Sequence, residues 1–256
     1  MSDVSVVAVI PARMGSTRYP GKPLIEINGL PMIEHVRRRS LMCHGFSDVV
    51  VATCDKEIYD VVKQFNGHVV MTSAKHIGAT DRVAEVAENM VCTHVINVQG
   101  DEILILPEDL SKMVQAINTL PKNMFWNATA NIVDKKEIAD CSIVKCVVNK
   151  QKKIMYCARD FSALQLKNSF EPVQKILGIL GFRKDALLNY SGLNRTPLEI
   201  TQSIDQSRII ENDLELISVQ FSAGFPGIND VREESTVKSI LKTNKRQKDI
   251  LKRILN

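Results

Sequence analysis

No stretch of the 256 residues approaches the roughly 20 consecutive apolar residues of a membrane span, so no membrane partner is expected. The first apolar run, Val4–Ile10, is too short for a secretory leader. It also lacks a basic flank and a small-residue cleavage site, which points to the cytoplasm. No C-x-x-C pair occurs among the six cysteines; Cys141 and Cys146 lie close in sequence, but no second pair completes a zinc set. They read as free thiols in a reducing compartment. Aromatic residues make up only 5% of the chain, too few to interleave a basic patch with stacking platforms, so nucleic acid is not an expected partner. No Pro-, Gly- or Ser-rich linker, low-complexity tract or internal repeat divides the sequence.

What is present is the composition of an ordinary globular domain, 45% hydrophobic and 24% charged. The net charge of +4 comes partly from the last 21 residues, where seven Lys and Arg alternate with Ile240, Leu241, Ile250, Leu251, Ile254 and Leu255. That spacing predicts a terminal surface helix with a solvated basic face.

The first half alternates strands with amphipathic helices. Strands are expected at Val4–Ile10, Asp48–Thr53, His68–Met71 and His94–Val98, with helices from Met32 to about Cys43, at Glu57–Phe65 and at Asp81–Met90. The alternation predicts an α/β domain with a mostly parallel central sheet covered by helices, a Rossmann-like arrangement. The second half reads differently. Strands at Asn127–Asn131, Ser142–Val148, Lys153–Arg159, Ile176–Phe182 and Glu215–Phe221 predict an inserted antiparallel lobe, with helices near Lys184–Tyr190 and Thr201–Asn212. One continuous domain is expected: a nucleotide-binding half to about residue 125, an acceptor-binding and dimerisation half to about 235, and the basic helix.

Two segments carry the chemistry. Ile10–Leu24 (IPARMGSTRYPGKPL) leaves a buried strand and sets Arg13, Arg18 and Lys22 among Gly15, Ser16, Thr17 and Gly21. In an open α/β sheet, ligands bind beyond the carboxyl ends of the strands. There, Gly-rich backbone, hydroxyls and three cations suit a triphosphate. The segment is not a Walker loop. The second segment, Asn97–Glu102 (NVQGDE), puts Asp101 at a strand end as a magnesium ligand and Gln99 beside it to read a base or hydroxyl. Magnesium prefers one or two carboxylates plus phosphates and waters.

The run IPARMGSTRYPGKPLIEINGLPMIEHV, followed by VVVAT, ATDRVAEV and VINVQGDE, resembles the 3-deoxy-manno-octulosonate (Kdo) cytidylyltransferase family. The resemblance is strong over the first hundred residues and fainter beyond. It implies a nucleotidyl-transfer fold, a homodimer, Mg2+, CTP as donor and an acidic sugar as acceptor. The acceptor's anomeric hydroxyl would attack the α-phosphorus and release pyrophosphate. By position, Pro11, Ala12, Arg13, Gly15, Ser16, Thr17, Arg18, Lys22, Thr80, Arg82 and Gln99 would hold the nucleotide, with Arg13, Lys22 and Asp101 catalytic. Gln99, Arg159, Asp205 and Gln206 would meet the acceptor. Asp101 would bind the metal with Asp230 or, under a one-residue shift, Asn229; Asp230 is preferred because a carboxylate binds magnesium better than an amide.

The acceptor side departs from the family pattern. A His and a Tyr of that pattern are Ile176 and Leu180 here, and an Arg expected after Met-Thr is Ser73. The expected acceptor is an acidic sugar, Kdo or a related 2-keto acid, and the altered pocket favours a related, modified or smaller acid over Kdo itself. A different small carboxylate or phosphonate, or a catalytically silent nucleotide-binding homologue, is the alternative.

Overall fold

The computed structural model describes residues 4–16, 18–164, 170–171 and 173–255. In chain order the elements are β1 (Val6–Ala12), β2 (Glu26–Ile27), β3 (Leu30–Pro31), α1 (Met32–Leu41), β4 (Asp48–Thr53), α2 (Lys56–Gln64), β5 (His68–Met71), α3 (Ala79–Glu88), β6 (His94–Val98) and α4 (Pro107–Thr119). There follow β7 (Phe125–Asn131), α5 (Lys136–Ala139), β8 (Lys145–Val148), β9 (Ile154–Ala158), β10 (Val173–Arg183), α6 (Lys184–Ser191), α7 (Pro197–Gln202), α8 (Gln206–Glu211), β11 (Leu216–Gln220), α9 (Val231–Thr243) and α10 (Lys245–Leu255).

The main sheet runs β11-β7-β10-β6-β1-β4-β5, and the β8–β9 hairpin is attached through β8 to β10. β1, β4, β5 and β6 are parallel, while β10 runs antiparallel to both β6 and β7. The expected α/β architecture is therefore present, with the antiparallel pairing concentrated in the second half. All seven residues of β1 are buried, as a central strand with helices on both faces requires. On one face Ile33 and Val36 of α1, Ile58 and Val62 of α2 and Leu110, Met113 and Ile117 of α4 pack against Ala8 and Ile10. On the other, Val83 and Ala87 of α3, Leu187 of α6 and Ile209 of α8 pack against Val7 and Val9.

Three departures from the sequence reading have local causes. The first strand lies two residues further along than Val4–Ile10, because Pro11 and Ala12 pair with Ala52 and Thr53 of β4. The helix expected over Thr201–Asn212 is two helices, broken where Ser203 takes a left-handed conformation at φ 52°. The basic tail is likewise two helices, parted by the extended Asn244. A further helix, α4, lies in a segment the sequence reading leaves unassigned, although Pro107 at its first turn, Glu108 and Asp109 are start signals.

α10 does more than cover a surface. Ile250 and Ile254 pack with Leu30 and Leu106. The wholly buried Gln247 accepts from Arg39 Nη1 at 2.8 Å and donates to Leu104 O at 2.7 Å. Lys248, Lys252 and Arg253 face solvent, as the charge pattern predicts.

Candidate active site

β1 leads through β4 and β5 to one side, and the chain returns to form β6 on the other side of β1. This switch point opens a crevice beyond the carboxyl ends of β1 and β6, where α/β sheets bind ligands. Arg13 follows β1 there and Gln99 follows β6.

The loop after β1 is held by short polar contacts. Met14 N donates to Asp55 Oδ2 at 2.7 Å, tying the loop to the start of α2. Gly21 N and Ser16 N both donate to Met14 O, at 3.0 and 2.8 Å. Gly21 closes this turn at φ 75°, a left-handed conformation that other residues adopt at a cost. Lys22 is thereby aimed inward. Its ammonium donates to Asp101 Oδ2 at 2.7 Å and to Ile228 O at 3.2 Å.

The turn after β6 is gripped from two directions. Gln99 N donates to Gly178 O at 2.9 Å, and Gly178 N donates to Glu102 Oε1 at 2.7 Å. Ile228 N donates to Asp101 O at 3.2 Å. A methyl group on Gly178 would lie 2.7 Å from Glu102 Oε1, and one on Gly227 would lie 2.7 Å from Asp101 O. These glycines are thus places where backbone must approach closely. Burial, and then the charge of Asp101, push the Glu102 carboxyl up to about 7, with the Gly178 N–H and Lys22 opposing.

Two cavities meet at this turn. The first, of about 270 Å³, is lined by Pro11, Ala12, Arg13, Ser16, Arg18, Lys22, Arg82 and Gln99 of the sequence-predicted nucleotide set. The second, of about 550 Å³, is lined by Gln99, Asp205 and Gln206 of the predicted acceptor set. Gln99, Asp101 and Asn229 line both. Arg82, nearly buried, donates to Thr72 Oγ1 and, at 3.4 Å, to Cys54 Sγ. Asp205 accepts from Thr80 Oγ1 at 3.3 Å; burial first, then Glu199, raise its carboxyl above the usual range, against Arg208 and that hydrogen bond. Gln206 Nε2 donates to Asn127 Oδ1 at 2.7 Å.

Other predicted residues stand elsewhere. Gly15 lines neither cavity, and Thr17 lies outside the described residues. Thr80 acts one step back, through Asp205. Arg159, expected on the acceptor, lines neither cavity. Its guanidinium donates to the backbone carbonyls of Gln202 at 2.7 Å, Cys141 at 3.0 Å and Ser203 at 3.2 Å, so it ties the wall together instead. Asp230, preferred over Asn229 as a metal ligand, caps α9 by accepting from Arg232 N at 3.0 Å and pairs with the Arg232 side chain at 2.9 Å. It lines neither cavity, whereas Asn229 faces both. Chain direction at the helix start decides this: the cap side chain turns back to its own helix, and the residue before it faces the crevice.

Sequence reasoning missed His76, which lines the first cavity and pairs with Glu85, itself accepting from Ser73 N at 2.9 Å. The proximity of His76 to ATDR was the available signal. It also missed Glu137, Asp140 and Lys175 in the second cavity, where no motif marks them. Among the described residues no three His, Cys, Asp or Glu side chains converge as a protein-only metal cage. Asp101 and Asn229 offer a pair of oxygen donors at the mouth shared by the two cavities, the kind of partial set that magnesium completes with phosphates and waters.

A family model described as cytidylyltransferase matches residues 7–217. The 3-deoxy-manno-octulosonate cytidylyltransferase of Protochlamydia amoebophila is 36% identical over 214 residues, 81% of this chain and 83% of its own. That of Escherichia coli is 36% identical over 225 residues, 87% and 90%. Among solved structures, a CMP:2-keto-3-deoxy-manno-octonic acid synthetase complexed with CTP superposes with a TM-score of 0.86 at 34% identity, over 93% of this chain and 98% of that one. A 4-diphosphocytidyl-2C-methyl-D-erythritol synthase from Anaerococcus prevotii, at 12% identity and a TM-score of 0.63, shares the fold.

Proposed function

The chain belongs to the cytidylyltransferase family, and on that footing we propose that it transfers CMP from CTP to 3-deoxy-manno-octulosonate or a closely related 2-keto sugar acid, releasing pyrophosphate. The observation that carries this reading is the meeting of two cavities at Gln99, Asp101 and Asn229. One cavity holds the donor, the other the acceptor, and the shared mouth is where phosphorus and hydroxyl meet. The acceptor's anomeric oxygen forms a bond to the α-phosphorus as the bond to the pyrophosphate oxygen breaks; the hydroxyl proton leaves to solvent.

Such a transfer demands positioning and charge neutralisation more than covalent help. Arg13 and Arg18 are exposed at the first cavity and free to close on phosphate oxygens, while Lys22 is aimed inward beside Asp101. The buried Arg82 braces the wall through Thr72 and Cys54. Gln99, fixed through its backbone to Gly178, bridges both substrates. Magnesium belongs at Asp101 and Asn229, where it would offset the triphosphate charge at the reacting phosphorus. Asn229 is favoured over Asp230 by its place on both cavities.

A homodimer is supported by Met155 and Tyr156 of β9, 55% and 46% exposed on a strand that pairs only with β8 among the described strands. A cytoplasmic location is supported by six free cysteines and by the lack, among the described residues, of any helix long and apolar enough to cross a membrane.

The test is pyrophosphate release with magnesium and each of CTP, UTP, GTP and ATP, against a panel of 2-keto sugar acids. Release with CTP and a sugar acid is expected. Tight CTP binding with no release on any sugar acid overturns the acceptor class, and release with another nucleotide in preference to CTP overturns the donor.

A further inference from the structure

One wall of the second cavity is a short stretch between α7 and α8, residues 203–206. Ser203, left-handed at φ 52°, turns the chain there. Most of the stretch is fixed from the second half of the molecule. Ser203 O accepts from Arg159 Nη2 at 3.2 Å, and Ile204 N donates to Glu199 O at 3.3 Å. Asp205 O accepts from the Tyr190 hydroxyl at 3.1 Å, and Gln206 Nε2 donates to Asn127 Oδ1. Behind them Arg208 donates to both oxygens of Glu199, at 2.7 and 2.5 Å, and lies over the Tyr190 ring, 4.4 Å from its centre. The Asp205 side chain is the exception. Among the described residues, the hydrogen-bond donor to its carboxylate is Thr80 Oγ1, at 3.3 Å, from the other half of the molecule.

Thr80 stands in the motif whose resemblance places it on the nucleotide, but its side chain does not go there. Ala79 and Arg82, one turn apart on α3, line the nucleotide cavity. Thr80 is rotated about 100° from Ala79. It is 2% exposed and lines neither cavity. Its helical spacing puts it on the face of Val83, Ala84 and Ala87, which packs with Leu187 of α6 and Ile209 of α8.

We propose that Thr80 is a positioning residue for the acceptor and not a holder of the nucleotide: its hydroxyl fixes the Asp205 carboxylate so that this group can accept hydrogen bonds from the acceptor's hydroxyls. The inference rests on the cytidylyltransferase reading of the two cavities and assigns a residue of the first half to the acceptor side. The backbone of residues 203–206 already has its anchors, so what Thr80 adds is the direction and the charge state of one side chain. Burial works against the ionised form of Asp205, and Arg208 and the Thr80 hydroxyl work for it. An ionised carboxylate offers acceptor places on both oxygens, whereas the protonated acid spends one place on its own O–H. Without the hydroxyl of Thr80 the carboxyl group takes a proton or turns away, and either change weakens the grip on the acceptor. Neither reaches the cavity that Arg13, Arg18 and Arg82 line.

The experiment measures the two KM values separately, by pyrophosphate release with magnesium, varying CTP and then the acceptor. The acceptor is 3-deoxy-manno-octulosonate, or the 2-keto sugar acid of the panel that gives faster release. Thr80→Val, which keeps the shape and removes the hydroxyl, should raise KM for the acceptor about tenfold, the size of one hydrogen bond to a charged group. KM for CTP should stay within about twofold. Thr80→Ser, which restores the hydroxyl, should bring the acceptor KM back; Thr80→Ala serves as the test where the valine variant fails to fold. In an Asp205→Ala background Thr80→Val should add little, since the two act as one unit. A rise in KM for CTP with the acceptor KM unmoved, no rescue by serine, or full additivity with Asp205→Ala overturns the proposal alone. No release with any 2-keto sugar acid by the unsubstituted protein while CTP still binds overturns the sugar-acid reading and this inference with it.

Discussion

At the residue scale the site turns on a few side chains whose neighbours set their chemistry. Asp101 is held by Lys22 at 2.7 Å and sits where both cavities open. Replacing it with Asn keeps the shape but removes the charge that the proposed magnesium would need. Asp101→Asn should lower kcat at least about a hundredfold, the effect of several kcal/mol of lost charge stabilisation. Steady-state pyrophosphate release checks this, with circular dichroism unchanged. Asn229 and Asp230 are separable by a single assay. Asn229→Asp should lower the magnesium concentration giving half-maximal rate, since it adds a carboxylate at the shared mouth. Asp230→Ala should leave that concentration in place and cost about 1 kcal/mol of stability, because it removes the α9 cap. A magnesium dependence that follows Asp230 instead would reverse the assignment.

At the element scale, the crevice depends on how backbone segments approach one another. Gly178 of β10 touches the turn after β6, and a Cβ there would press on Glu102 at 2.7 Å and on the Gln99 side chain at 2.9 Å. Gly178→Ala should therefore push that turn out of place and lower kcat/KM by roughly tenfold or more, a misplacement effect. Because the clash lies at the site and not in the core, the melting temperature should move far less than activity. α1 carries a different signature. His35 is wholly buried and within 2.7 Å of Ile27 O; burial lowers its pKa to about 4, with Arg39 and Arg38 adding to the shift and the Ile27 carbonyl opposing it. In the unfolded chain the ring takes a proton near 6.5. The folded protein therefore binds fewer protons between these values, so this contribution is fully present above pH 6.5 and is lost as pH falls toward 4. The loss is at most roughly 3 kcal/mol. Chemical denaturation across that window should show it, and His35→Gln should flatten the dependence by a comparable amount. An unchanged slope would remove His35 as the cause.

At the scale of the whole molecule, β9 pairs as a strand only with β8 among the described residues, with Met155 and Tyr156 exposed, although Lys153 just before it bridges Ile217 of β11. If β9 is where two copies meet, Tyr156→Glu should shift the mass from dimer to monomer in sedimentation, with the fold retained. A dimer unaffected by the change would move the interface elsewhere. Much of the molecule was legible in the residues. Asp48–Thr53, His68–Met71 and His94–Val98 are strands as read, since a fully buried parallel strand is a short apolar run and little else. That Arg13, Lys22 and Asp101 line the first cavity was legible because they lie just beyond the carboxyl ends of buried strands, where an open α/β sheet has its crevice. The sequence by itself determined the layered α/β architecture and the cationic loop beyond β1, because these follow from periodicity and local chemistry. Only the tertiary structure decided that Asn229 rather than Asp230 faces the crevice, that Arg159 turns to backbone carbonyls, and that six carboxylates line the second cavity. Those facts depend on which way a side chain leaves its element and on which distant segments meet, neither of which has a signature in the order of the residues.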